Sequence, residues 1–232
     1  MLLKKIISII FVTLLFASGL WGGDSASFVD LGFSTDGRTF MFGQYGVQSP
    51  TLKPWAELYV VDVASNDFVS GGRVSYTHDY PILAGQDGSG VLYRLIAGNS
   101  GLASRYGVSF PNQGQPLYIS LDTNPPASGE TIEFRDFLTD KFYRANLVSS
   151  TEGSGQNLKS SFQINLETHF SNGQVSRYTV GNPQIKRSLI ASYNIKRVII
   201  DPQGNSIIFV IEMKRQGEDG HDIRYMVEAL RL

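Results

Sequence analysis

Two short acidic segments carry the residue types from which a cation site can be built. Residues 85–90 are rich in glycine and include Asp87, and residues 217–222 include Asp219 and Asp222. Calcium prefers carboxylate and carbonyl oxygens, and glycine allows a loop to turn its backbone towards an ion. Neither segment has the Asp-x-Asp-x-Asp ladder of a calcium loop, so a solvated turn is the favoured interpretation. Calcium at these three aspartates is the alternative, and no other cofactor is expected.

Catalytic residue types occur in the chain, but their spacing forms no catalytic pattern. The histidines, His78, His169 and His221, are scattered and lack the His-x-x-x-His spacing of a zinc site. His78 and His221 each precede an aspartate, but adjacent residues of a strand point to opposite faces and so do not act as a base and its orienting acid. The sequence therefore assigns no catalytic residue, and an enzyme is the less favoured class.

Two large aromatic residues lie in a segment that reads as a long connection between strands. Residues 44–56 contain Tyr45 and Trp55 together with two prolines. Aromatic loop residues often contact ligands or partners, because they bury a large area at little entropic cost. The favoured alternative is that Trp55 folds back as a lid on the core beside Tyr59. Tyr45 and Trp55 are thus the sequence-based candidates for a partner-binding surface.

The composition of the chain excludes several classes of protein. The sequence of 232 residues contains no cysteine, which rules out disulfides, cysteine-ligated metals and a lipid-modified cysteine. The 20 basic and 21 acidic residues leave a net charge of −1. Nucleic acid is not an expected partner, because phosphate binding requires clustered Lys and Arg. The 24 glycines and the 12% of aromatic residues favour short strands joined by tight turns.

Residues 1–19 have the layout of a secretory signal peptide. Lys4 and Lys5 precede an apolar run over residues 6–16, and three small residues then offer a cleavage site. Cleavage as late as residue 23 is an alternative. The apolar stretch reaches about 16 residues, short of the roughly 20 that a membrane-spanning helix needs, so an uncleaved anchor is disfavoured. The sequence predicts an exported protein, periplasmic or secreted, with no membrane span after cleavage.

Residues 24–232 are predicted to form a single, mainly β domain. Short apolar or alternating runs are separated by Gly, Asn, Asp and Pro, which is typical of antiparallel hairpins. Residues 171–173, Ser-Asn-Gly, are a strong hairpin signal because Asn-Gly adopts the turn that matches strand twist. One short helix is predicted over residues 89–103, where apolar residues recur at helical spacing. The strands are predicted at residues 29–33, 39–43, 58–63, 117–121, 131–134, 142–148, 162–168, 177–180, 193–200, 206–213 and 223–230.

An internal repeat links the two ends of this region. Residues 33–42 and 200–209 align without gaps around Gly37 and Gly204. A matching strand follows each copy, with a tyrosine 22 residues after Gly37 and 21 residues after Gly204. Each copy therefore reads as strand, tight turn, strand, longer loop and strand. A three-stranded unit does not bury its apolar face alone, so we expect a ring or a sandwich that makes the two copies neighbours.

The repeat resembles the blades of TolB-type β-propellers, in which a turn like residues 33–37 precedes an apolar strand and then a strand like residues 58–62. This resemblance implies a propeller-like arrangement of hairpins, and a two-sheet sandwich is the alternative. The chain also resembles a family of predicted secreted bacterial proteins whose domain has no assigned function. The matching stretches are residues 28–34, 57–63, 84–90 and 222–230. The second resemblance implies export and transfers no active site.

Two functional hypotheses follow. The favoured one is an exported envelope or periplasmic protein that works without catalysis, by binding or assembling with another envelope protein or ligand. The alternative is a secreted hydrolase acting on a saccharide or peptide through carboxylates that the sequence does not identify. Two carboxylates facing each other across a deep cleft would favour the hydrolase, whereas an aromatic-lined surface would favour binding. The sequence leaves the oligomeric state open.

Overall fold

The computed structural model describes residues 23–83, 85–121, 128–217 and 220–232. These residues form three antiparallel sheets, two α-helices and one short 3-10 helix, Gly155–Asn157. The mainly β fold class predicted from the sequence is confirmed. The predicted signal peptide, residues 1–19, lies outside the described residues.

The N-terminal sheet contains four strands that are neighbours both in sequence and in space. They are β1 (Ser27–Phe33), β2 (Thr39–Val47), β3 (Pro54–Asp62) and β4 (Asp67–Thr77). Side chains alternate between the two faces, so Phe40 and Phe42 point to one side of the sheet and Met41 to the other. The sequence-based prediction missed β4, because Gly71 and Gly72 interrupt its pattern. Gly71 takes a φ of +68°, next to a register shift in the β3–β4 pairing.

The outer sheet is built from the middle of the chain. Its strands are β6 (Thr131–Asp136), β7 (Lys141–Glu152), β8 (Lys159–His169), β9 (Val175–Val180) and β10 (Arg187–Ser188). The order is β10-β8-β7-β6, and β9 also pairs with β8. The hairpin predicted at residues 171–173 is confirmed between β8 and β9, where Gly173 has a φ of +84° and its N–H donates to the Phe170 carbonyl.

The central sheet joins a short strand from the middle of the chain to the last three strands. Its order is β13 (Gly220–Arg231), β12 (Ser206–Gly217), β11 (Ile190–Ile200) and β5 (Gln115–Ile119). Residues 207–211 of β12 are all fully buried, because both faces of the strand are covered. Ile207 and Phe209 pack towards the outer sheet, and Ile208 and Val210 pack towards the N-terminal sheet. The three sheets therefore lie in layers, with the central sheet between the other two.

Two helices cover the second face of the N-terminal sheet. They are α1 (Ser89–Gly98) and α2 (Ser100–Arg105), so the single helix predicted over residues 89–103 is split at Asn99. Gly98 and Gly101 flank the break and weaken helix formation there. Leu92 of α1 packs so closely on β2 that a Cβ at Gly43 would lie 2.7 Å from the Leu92 Cδ1 atom.

The internal repeat appears as two turns with the same hydrogen-bonding pattern. In the first turn, Ser34 N–H donates to the Thr39 carbonyl and Gly37 N–H to the Ser34 carbonyl, each at 2.9 Å. In the second, Asp201 N–H donates to the Ser206 carbonyl and Gly204 N–H to the Asp201 carbonyl, again at 2.9 Å. Gly37 and Gly204 both have a positive φ, of 67° and 72°. We call these two segments, residues 34–39 and 201–206, the twin turns.

The twin turns contact each other. The Ser206 hydroxyl donates to the Gly37 carbonyl at 2.8 Å, and Arg231 Nη1 donates to the Asp36 carbonyl at 3.2 Å. The strands that follow each turn pack face to face, with Phe40 of the N-terminal sheet in the same buried cluster as Ile208 of the central sheet. The two copies are thus neighbours in a layered arrangement. A sandwich fits this arrangement, and the propeller-like arrangement is not confirmed.

Candidate functional site

A groove of about 750 Å³ opens where the three sheets meet. Its floor is formed by residues 226–230 of β13, the edge strand of the central sheet. One wall is the β3–β4 turn with the start of β4, and the other is the segment from the end of β9 to β10. This volume lies within the range of small-molecule and peptide sites. We call it the inter-sheet groove.

Glu228 lies at the floor of the inter-sheet groove with only 4% of its surface exposed. It pairs with Phe209 of β12, so its side chain shares the face of the central sheet that packs on the outer sheet. A buried carboxylate needs partners, and Glu228 has two. Asn66 Nδ2 donates to Glu228 Oε2, and Arg187 Nη2 lies 3.5 Å from Glu228 Oε1. Each partner belongs to a different wall of the groove.

The pKa of Glu228 is raised above its ordinary value. Burial of the carboxylate is the main cause, because removal from water disfavours the charged form. The hydrogen bond from Asn66 and the charge of Arg187 act in the opposite direction and offset only part of the effect. The floor of the groove therefore carries a carboxylate that accepts a proton more readily than an exposed glutamate.

Asn66 also closes part of the free edge of β13. Its Oδ1 atom accepts the Ala229 N–H at 2.6 Å, while its Nδ2 atom donates to Glu228. Asn66 has a φ of +52° in the turn between β3 and β4, a conformation that asparagine tolerates well. Gln44 covers a neighbouring position of the same edge, next to Met226, where its Oε1 atom accepts the Tyr225 N–H at 2.8 Å.

The upper walls of the inter-sheet groove are apolar and partly exposed. Phe68 on β4 is 41% exposed and Ile185 on the opposite wall is 51% exposed. The Arg73 guanidinium lies 5.1 Å from the Phe68 ring centroid and 5.9 Å from the Tyr59 ring centroid, which holds both rings in place. The groove thus combines a polar floor with apolar lips, the arrangement typical of a binding site.

The sequence-predicted calcium residues lie elsewhere. Asp87 is exposed beside the start of α1, where it accepts the Ser89 N–H and hydroxyl, and these bonds lower its pKa. Asp222 accepts the Asp24 N–H at 2.9 Å. Asp219 lies outside the described residues. In the part of the chain that the structure describes, no three Asp, Glu or His side chains come together as a metal site. Calcium binding stays a prediction.

The predicted partner-binding residues lie on strands. Residues 44–56 do not form a long connection, because β2 runs to Val47 and β3 begins at Pro54, and that prediction was wrong. The two prolines caused this error. Pro54 is the first residue of β3, a position where proline does not interrupt the hydrogen bonds between strands. Trp55 is only 5% exposed and Tyr45 packs partly against the cluster under α1. This burial fits the lid that the sequence favoured for Trp55, and a role of either residue in partner binding stays a prediction.

Sequence reasoning did not identify Asn66, Arg187 or Glu228 as a group. Asn66 and Glu228 are 162 positions apart, and Arg187 is 41 positions from Glu228, so only the packing of the sheets brings them together. One signal was present. Glu228 is the single charged residue in the otherwise apolar run of residues 225–230, and a lone carboxylate in a buried strand requires a partner.

These features define a layered, antiparallel β-sandwich with a ligand-sized groove between its sheets. The chain belongs to the predicted secreted protein family DUF2259, whose family model matches residues 41–231. None of the curated proteins is a detectable relative. The family assignment confirms the export predicted from the sequence. Neither α-helix in the described part of the chain is long and apolar enough to cross a membrane.

Proposed function

We propose that the protein is an exported binding protein that holds another envelope component in the inter-sheet groove. The observation that carries this proposal is the groove of about 750 Å³ with its polar floor and apolar lips. Glu228, Asn66 and Arg187 supply fixed hydrogen-bonding groups from three sheets, while Phe68 and Ile185 supply exposed apolar surface. Such a combination gives both orientation and affinity to a bound molecule.

The convergence of three sheets on one site supports a binding role. Arg187 lies 5.1 Å from the Phe162 ring centroid, and Gly181 brings the backbone of the outer sheet close to the Glu228 carboxylate. A side chain on residue 181 would lie 3.4 Å from the Glu228 carboxyl carbon, at a φ of +86°. The polar floor is therefore held by packing from both sides, and a preorganised site binds with less loss of entropy.

Site-specific photo-cross-linking in cells tests the proposal. Ile185 is replaced by benzoylphenylalanine, which reacts with any molecule seated in the groove. Phe110 is the matched control, because it is 41% exposed and lies beside Gly32 of β1, at the edge of the N-terminal sheet opposite β4. We expect a discrete adduct from residue 185 and none from residue 110. Equal labelling at the two positions, or no adduct at either, would contradict the proposal.

A hydrolase is the second candidate, favoured by one observation. Glu228 has a raised pKa and lines the same groove as a second carboxylate, Asp67. A carboxylate with a raised pKa in a cleft, such as Glu228, is typical of an acid–base site. A panel of glycoside and peptide substrates separates the two candidates. Turnover that disappears in Glu228→Gln and Asp67→Asn would support the hydrolase and count against a purely binding role.

A further inference from the structure

We infer that the inter-sheet groove binds an extended segment of another polypeptide, which adds a strand to the free edge of β13. The inference rests on the proposed function, because it names the chemistry of the molecule that occupies the same groove. Its basis is the pattern of backbone groups along this edge.

Alternate residues of β13 direct their backbone groups away from β12. Ile223 N–H donates to the Asp24 carbonyl at 2.8 Å, Tyr225 N–H to Gln44 Oε1 at 2.8 Å and Ala229 N–H to Asn66 Oδ1 at 2.6 Å. Outward-pointing groups recur at every second residue of a strand. The N–H and C=O groups of Val227 therefore also point away from β12, into the groove.

Val227 is the one member of this series whose outward N–H has no partner in the part of the chain that the structure describes. Among the described residues, no group forms a hydrogen bond with its outward N–H or C=O. The side-chain oxygens of Gln44 and Asn66 accept the outward N–H groups on either side, at positions that the carbonyls of an added strand would take, so an added strand displaces these two side chains. Their amide N–H groups donate to glutamate side chains and so do not pair with the outward C=O groups of the edge. Native proteins usually protect sheet edges, so the outward C=O groups of residues 225, 227 and 229, which have no donor among the described residues, indicate a docking position.

The same edge already carries an added strand at one end. Ser25 forms a parallel bridge with Ile223, and Ala26 N–H donates to the Ile223 carbonyl at 3.1 Å. The chain then leaves this edge to enter β1 at Ser27. A second extended segment would continue the pairing from Ile223 towards Val227. Strand addition at this edge is thus an extension of contacts that the fold already makes.

The walls of the groove suit the side chains of such a segment. Successive side chains of an extended chain point to opposite sides, towards Phe68 on one wall and Ile185 on the other. In strand addition, the backbone hydrogen bonds provide affinity and the pockets for alternate side chains provide specificity. A polypeptide fits both the open backbone pair at Val227 and the apolar lips.

The test uses random nine-residue peptides selected for binding to the purified protein. Each backbone nitrogen of the tightest peptide is then methylated in turn. In strand addition only alternate N–H groups of the peptide bond to the edge, so we expect methylation to lower affinity by about tenfold at every second position and by less than about twofold between them. Loss of affinity without a period of two, or a pool from which no peptide is enriched, would overturn the inference.

Two further readouts locate the peptide and separate this inference from the proposed function. Hydrogen exchange at the Val227 amide is expected to slow when the selected peptide binds, while exchange on β6, the far edge of the outer sheet, stays unchanged. An unchanged Val227 amide would place the peptide elsewhere. A cross-linked adduct at Ile185 that resists proteases and contains no peptide would sustain the proposed function and overturn strand addition.

Discussion

The indole N–H of Trp55 donates to Asp24 Oδ2 at 2.7 Å, in a buried contact that joins the start of the fold to β3. Arg224 of β13 completes the group, with its Nη2 atom 2.7 Å from the same carboxylate oxygen and its guanidinium 4.2 Å from the Trp55 ring centroid. The segment before β1, the N-terminal sheet and the central sheet are therefore connected through one carboxylate. Such a contact stabilises the packing of sheets that are distant in sequence.

Removing the indole donor is expected to destabilise the protein. In Trp55→Phe, Asp24 loses a hydrogen bond while it remains buried, which costs about 1–3 kcal/mol of unfolding free energy. Urea denaturation followed by circular dichroism measures the change. Tyr45→Phe is the matched control, because Tyr45 is also aromatic and partly buried but its hydroxyl has no hydrogen-bond partner among the described residues. Equal losses in the two variants would count against a specific role of the Trp55–Asp24 bond.

The twin turns allow a paired test of backbone conformation and close packing. Gly204→Ala places a side chain at a φ of +72° with no atom within 4 Å, so we expect a loss of about 1 kcal/mol from conformation alone. Gly37→Ala has a similar φ, but its Cβ would lie 2.1 Å from Asp201 Oδ2, a buried atom. We expect a larger loss there, about 2–4 kcal/mol. Thermal unfolding of the two variants measures these losses of stability. Similar losses in the two variants would mean that the turns do not pack as described.

The raised pKa of Glu228 predicts how stability changes with pH. Because the pKa in the folded state lies above the ordinary value of 4.5, the folded protein holds more protons than the unfolded chain between these two values. The unfolding free energy therefore falls as pH rises through that window. Glu228→Gln removes this contribution, so its stability relative to the parent protein should increase from pH 4 to pH 8.

Urea denaturation at intervals of pH measures this difference. Burial raises the pKa of Asp24 and Asp30 as well, so the parent protein alone shows their summed effect. Subtracting the two curves isolates Glu228. A difference that stays constant with pH, or that shrinks as pH rises, would show that the carboxylate is not held as the groove geometry implies.

Asn66 offers a test of the covered edge of β13. Asn66→Ala removes the acceptor for the Ala229 N–H and the donor to Glu228, and it places alanine at a φ of +52°. We expect a loss of about 2 kcal/mol. Asn66→Asp keeps the acceptor but sets a second carboxylate beside Glu228, so its loss should be greater at pH 8 than at pH 5. Asn165→Ala, at an exposed position of β8, serves as the control and should change little in the same denaturation assay.

Calcium addition tests the remaining sequence-based alternative. Among the described residues, Asp87 and Asp222 belong to no cluster of three metal-ligating side chains, and they accept hydrogen bonds from Ser89 and Asp24. We therefore expect millimolar calcium to leave the melting temperature unchanged, since a ligand that binds only the folded state would raise it. A rise that is lost on mutation of Asp87 or Asp222 would establish calcium binding instead.

Most of the local structure could be predicted from the sequence, but the inter-sheet groove could not. The apolar run at residues 207–211 and the Asn-Gly turn at residues 171–173 predict a buried strand and a hairpin through neighbouring residues alone, and both are present. The prediction missed β4 because the strand contains Gly71 and Gly72. Glycine inside a strand gives the same sequence pattern as a turn. The contact of Asn66 with Glu228 depends on how two sheets stack, which no local pattern encodes.

The position of the central sheet also leads us to expect an order in which the protein acquires its structure. Three of its four strands begin at residue 190 or later, yet they provide the surface on which β1–β4 and β6–β10 bury their apolar faces. As the chain is synthesised, both of these earlier sheets emerge without their counterpart, and most stabilising contacts are of long sequence separation. We therefore expect the N-terminal and outer sheets to gain their stable packing only once residues 190–231 are present.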